Sequence, residues 1–85
     1  MVVVRDGDWL SATIGDERVM MSASSGQYIG LNVVGSRIWD LIEKPRELED
    51  ICARLEAEFD VSPTDCAREV EAFLADLEQS GAITR

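Results

Sequence analysis

Polar and apolar residues change their spacing once along this chain, and the change divides it into two structural regimes. Trp9, Ser11 and Thr13 alternate with Leu10, Ala12 and Ile14, the period of two that a half-buried strand requires. Gly15-Asp16 then marks a tight reversal before a second extended run from Glu17 to Ala23. Ser24-Ser25-Gly26 marks another, leading into Gln27-Tyr28-Ile29-Gly30-Leu31. Short turns make neighbours antiparallel, so the pattern predicts a three-stranded meander with the Arg18 to Ala23 strand in the middle and Tyr28 to Leu31 at an edge.

Beyond Asn32 the spacing becomes helical. Val34, Ile38, Leu41 and Ile42 recur at three and four, Asn32 is a good first-turn cap, and Pro45 closes the segment. Trp39, one turn before Ile42, is expected to cover the seam between helix and sheet. Leu48, Ile51, Cys52, Leu55 and Phe59 form the apolar stripe of a second helix, from about Glu47 to Glu58, whose other side carries Glu49, Asp50, Arg54 and Glu56. Ser62-Pro63-Thr64-Asp65 is the sharpest local signal. Ser62 suits the cap and Pro63 the first helical position, and Asp65 sits where a side chain can return to the cap amide. A third helix follows to about Gln79, with Cys66, Val70, Phe73, Leu74 and Leu77 inward and Gly81 as the left-handed stop. Ala82-Ile83-Thr84 remain as a short extended tail.

The 85 residues suffice for one small core, so residues 1–85 are expected to form a single domain of the α+β class. Hydrophobic residues at 46% and charged residues at 29% keep the chain out of the disordered class. No apolar run reaches the ~18 residues that a bilayer demands, which points to a cytoplasmic protein. Cys52 and Cys66 fall on apolar helix stripes, as buried thiols do in a reducing compartment; a disulfide between them is the alternative.

Charge narrows the function further. Seventeen acids against eight bases give a net charge of −9, and thirteen of those acids lie between Asp40 and Glu78. Such a surface repels phosphate backbones and favours guests carrying Lys or Arg. Histidine is absent, which removes the commonest general base and metal ligand. Cysteines fourteen apart and no calcium-loop pattern argue against a metal site. Buried thiols lack activation, and the carboxylates sit on helix faces expected in water. Gly26, Gly30 and Gly35 do not form a phosphate-cradling motif. Three helices beside a small sheet is also the plan of a winged-helix DNA-binding regulator, yet the third helix offers Arg68 against Asp65, Glu69, Glu71, Asp76 and Glu78. Expected, therefore, are no catalytic residues, no metal, no cofactor, no nucleic acid and no membrane.

What remains is an edge. Sheet edges are usually blunted by charge, proline or a bulge, and Gln27 to Leu31 has none of these. An extended peptide could add there as a further antiparallel strand. If the third helix lies alongside, Tyr28 and Leu31 with Phe73 and Leu77 would floor a groove walled by Glu69 and Asp76. Coverage of the edge by that helix or by the tail, or pairing of two copies through it, are the competing outcomes.

The run Gly26-Gln27-Tyr28-Ile29-Gly30-Leu31-Asn32-Val33-Val34-Gly35-Ser36-Arg37-Ile38-Trp39-Asp40-Leu41-Ile42 closely resembles the signature of the PqqD family, peptide chaperones of pyrroloquinoline quinone biosynthesis and related recognition domains for ribosomally made, modified peptides. Val70-Glu71-Ala72-Phe73-Leu74-Ala75-Asp76-Leu77 and Gly81-Ala82-Ile83 extend the likeness, which covers Gly7 to Thr84. The resemblance implies a winged helix-turn-helix-like domain, a three-stranded antiparallel sheet followed by three helices, that binds a precursor's leader between the third strand and the third helix. The guest would then lie along Tyr28, Ile29, Gly30 and Leu31 and meet Glu69, Phe73, Asp76 and Leu77. Within this group a short, free-standing acidic chain is most similar to the B1 recognition proteins of lasso peptide biosynthesis. That likeness implies a B2-type, cysteine-protease-like leader peptidase as partner and a macrolactam-forming cyclase further on; the quinone-cofactor pathway and other modified-peptide pathways are the alternatives.

Overall fold

The computed structural model describes residues 1–15 and 17–85. It begins with a strand that the sequence pattern did not mark, β1 (Val2–Arg5), followed by β2 (Trp9–Ile14), β3 (Glu17–Ser22) and β4 (Tyr28–Leu31). Helices α1 (Val33–Leu41), α2 (Leu48–Glu58) and α3 (Pro63–Gln79) complete the chain together with two very short strands, β5 (Arg46–Glu47) and β6 (Ile83–Thr84).

The meander β2-β3-β4 has the expected order, all antiparallel, with Met20 opposite both Ser11 and Ile29. Its first reversal, expected at Gly15-Asp16, involves Asp16, which lies outside the described residues. The second is built by Gly26 at φ +72°, whose amide donates to the Ser22 carbonyl at 2.8 Å. Asp8 ties this turn down, accepting from Ser22 Oγ and from the Ser24 amide, each at 2.7 Å. Those bonds favour the ionised form and hold the Asp8 carboxyl below its ordinary value.

A second sheet, β5-β1-β6, is an addition to the expected architecture. Val2 and Val3 pair with Glu47 and Arg46 on one side, while Val4 and Arg5 pair with Thr84 and Ile83 on the other. Two-residue strands have no readable period, and only the tertiary fold brings them to β1. The Met1 ammonium closes the arrangement against Glu47 at 2.7 Å.

The helices begin and end where their caps allow. Asn32 Oδ1 accepts from the Gly35 amide at 2.7 Å, and Ser62 Oγ accepts from the Asp65 amide at 3.2 Å with Pro63 next to it. The return bond expected from the Asp65 carboxylate is not made. That carboxylate pairs instead with Arg68 one turn on, a charged donor that outcompetes a backbone amide. Gly81 takes φ +80° and ends α3 as expected.

One cluster joins both sheets to all three helices: Val3, Met20, Leu31, Ile38, Trp39, Ile42, Ile51, Leu55, Val70, Leu74, Leu77 and Ile83 are among its buried members. Trp39 is 3% exposed, and the Arg5 guanidinium lies over its ring at 4.1 Å, so the tryptophan seals α1 against β1. Cys66 is buried and Cys52 half-buried, both as free thiols, and burial pushes both thiol pKa values up. Arg37 of α1 grips Glu58 of α2 through two bonds of 2.6 and 2.9 Å, and Arg46 bonds Asp50 at 2.6 Å.

Three outcomes follow from this packing. Leu74→Ala, at a fully buried position, should cost about 2–5 kcal/mol in urea unfolding. Asp8, Asp50 and Glu58 all have folded pKa values lowered by their donors. Their contribution is therefore complete above the unfolded carboxylate range and lost as pH falls through the lowered folded values. Thermal unfolding between pH 7 and 3 should show that loss, diminished in Asp8→Asn. At pH 8 Ellman's reagent should leave Cys66 untouched until denaturant is added, because the thiol is both buried and held protonated.

Candidate functional site

β4 pairs with β3 along one edge, and among the described residues no strand occupies its other edge. The tail that might have filled it is engaged elsewhere: β6 pairs with β1, and Ala82 accepts from the Asp6 amide at 2.8 Å. The backbone of Tyr28 to Leu31 thus pairs with β3 on one side and, among the described residues, with no strand on the other.

Strand alternation divides the four residues between two faces. Met20, fully buried, stands opposite Ile29, and Arg18, which reaches over α1, stands opposite Leu31, so Ile29 and Leu31 face the helices. Tyr28, 71% exposed, and Gly30 point the other way. Tyr28 and Leu31 therefore do not share a groove floor as expected; three residues apart on a strand, they have opposite parity. A guest strand on this edge would meet both faces with alternate side chains.

From α3, Phe73 reaches the margin. It is half-buried, and a methyl group at Gly35 would stand 3.1 Å from its ring and 3.2 Å from Asn32 Oδ1. Glycine at this position is what lets the ring close on the entrance of α1, directly after β4. Glu69 lies four residues before Phe73 and Asp76 three after it, both exposed, so the three form one stripe along the helix. Leu77 belongs to the neighbouring stripe and is 0% exposed, closed off beneath the tail. The structure thus places Phe73 at the entrance of α1, directly after β4, with Glu69 and Asp76 exposed on the same stripe of α3, Ile29 and Leu31 on the helix-facing side of β4, Tyr28 on the other side and Leu77 inside.

Residues not singled out by the pattern also lie here. A cleft of about 600 Å³ opens at the far end of β4, lined by Thr13, Glu17, Arg18 and Gly30 to Val33 with Ser36. Arg18 crosses from β3 to donate to Asp40 at 2.6 Å and to the Ser36 carbonyl at 3.2 Å, fixing α1 against the sheet. Only the cross-strand pairing of Arg18 with Leu31 reveals its place, since nothing in its local sequence does. The margin is apolar and acidic. Among the described residues, no group of three metal-ligating side chains converges, there or elsewhere.

Because Leu31 is 6% exposed, a charge placed there tests folding before binding. Leu31→Asp should lower the melting temperature sharply, whereas Phe73→Ala should retain the helical circular dichroism of the parent chain.

The family described as Coenzyme PQQ synthesis protein D (PqqD) matches residues 17–83. Among solved structures, TbiB1 in complex with the TbiA(beta) leader peptide is similar at 34% identity with a TM-score of 0.83, covering 94% of this chain and 93% of that one. A lasso peptide synthetase B1 complexed with the leader peptide is similar in fold, at 22% identity and a TM-score of 0.84, covering 98% of each chain. No curated protein sequence matches the chain.

Proposed function

Because this chain belongs to the family of coenzyme PQQ synthesis protein D, we propose that it is a leader-binding protein of lasso peptide biosynthesis, which takes up the leader of a ribosomally made precursor by strand addition at β4. The observation that carries this reading is the unpaired β4 edge beside Phe73, in a chain 34% identical to a protein solved with a leader peptide.

In the proposed complex, the guest's backbone completes the hydrogen bonds that β4 leaves open, giving affinity with little dependence on sequence. Selection comes from the flanks. Guest side chains facing the helices would pack on Ile29, Leu31 and Phe73, and those on the other face would pass Tyr28 and Gly30. Glu69 and Asp76 would attract basic residues of the guest, an effect that salt weakens at exposed positions. Leu77 would act from beneath, holding α3 at its distance from the strand.

No bond is made or broken by the chain itself in this scheme. Binding raises the effective concentration of the precursor at a separate B2-type leader peptidase, and a macrolactam-forming cyclase acts on the released core. The family description also admits the quinone-cofactor pathway; the fold shared with a lasso peptide synthetase B1 supports the lasso reading.

Titration of the isotopically labelled chain with its candidate leader should shift the amides of residues 28–31 and 69–76. Shifts confined to α2, or none, would refute strand addition at this edge. Phe73→Ala should weaken the leader about tenfold by isothermal titration, as truncation of a central anchor does, and Glu49→Ala should not.

A further inference from the structure

The face of the meander turned away from the helices is apolar where a solvated sheet face should be polar. By register, Leu10, Met21 and Tyr28 form one row across the three strands, and Ala12, Val19 and Gly30 form the next, with Ile14 and Glu17 beyond. Leu10 is 65% exposed, Ile14 66% and Met21 38%. Of these eight residues only Glu17 is charged. In β2 the usual alternation is inverted, since Ser11 and Thr13 share the helix-facing side with Met20 and Arg18 while Leu10 and Ile14 face outward. This inversion offers nothing to the core, because β2 is exposed throughout except for Trp9.

Three properties select the occupant. A guest strand on β4 would lengthen the same face by one strand, so a protein seated on the Leu10-Met21-Tyr28 row would touch chain and guest together. The net charge of −9 opposes a second copy of this chain. An exposed acid, Glu17, stands in the patch itself opposite Ile14 and would complement a Lys or Arg at the partner's rim, as would the chain's overall acidity. We propose that the outer face of β2-β3-β4 is the docking surface for the enzyme that processes the bound precursor, recognised through an apolar patch with a basic rim. This inference rests on the leader-binding reading, but the residues that test it, Leu10 and Ile14, lie on β2, away from the leader margin.

The test uses the full chain, the cognate B2-type leader peptidase and a fluorescent leader peptide. Leu10→Glu/Ile14→Glu removes apolar contacts from β2, and Leu10→Thr/Ile14→Thr does so while retaining good strand-forming residues. Leader affinity by anisotropy should stay within about twofold of the parent for both variants. Association with immobilised peptidase, measured with and without leader, should fall at least about tenfold for the Glu variant and less for the Thr variant. Unchanged association in both variants would overturn the proposal. So would a parent dimer in sedimentation that the variants dissolve while still binding peptidase, since the face would then belong to a second copy. Failure of the parent to bind leader would count against the leader reading alone, because the leader-free arm measures docking independently.

Discussion

β1 takes on both sides the two short strands that could otherwise have closed the meander, and the candidate site depends on that diversion. Backbone amides and carbonyls near a core must be paired, and in a chain this short the supply of extended segments is small. With β5 and β6 committed to β1, the far edge of β4 is left without a partner strand among the described residues. Its neighbours are already fixed: β3 by full pairing, α1 by the Asn32 cap and by Arg18 bridging to Asp40. The edge is open but held in place, so a guest strand would not have to order its own receptor.

Packing sets the width of the margin. Trp39 under Arg5 locks α1 to β1, and glycine at position 35 admits the Phe73 ring at the place where β4 passes into α1. A larger residue at 35 would push α3 away or displace the cap. The buried stripe of α3, including Leu74 and Leu77, anchors the helix in the core, so that the adjoining stripe of Glu69, Phe73 and Asp76 lies at the rim. The proposed binding surface and the core are thus two adjacent rows of one helix.

Electrostatics acts over a longer range. The acids cluster in the helical half, and several are already engaged by arginines, Glu58 by Arg37, Asp50 by Arg46 and Glu71 by Arg85. The excess over those pairs still leaves a strongly negative surface, which discourages nucleic acid and self-association while drawing basic polypeptides. Apolar rows on the outer face of the meander add a second, short-range means of contact, separate from the first.

Much of the fold was legible locally. The three meander strands, the three helices, the caps at Asn32 and Ser62 and the stop at Gly81 each follow from period, turn chemistry or a single side chain, because those signals act within a few residues. An undefended β4 edge could likewise be read from the absence of charge or proline between Gln27 and Leu31. What only the tertiary structure decided were relations between distant segments: that the tail pairs with β1 and not with β4, that Tyr28 and Leu31 face apart, and that Leu77 is interior while Phe73 is at the rim. Asp65 turned to Arg68, against the local expectation, because a charged donor stood within reach. Period and propensity determine which elements form; which of two equally apolar positions faces a neighbour is settled only when the elements meet, since burial is a property of the pair and not of the residue.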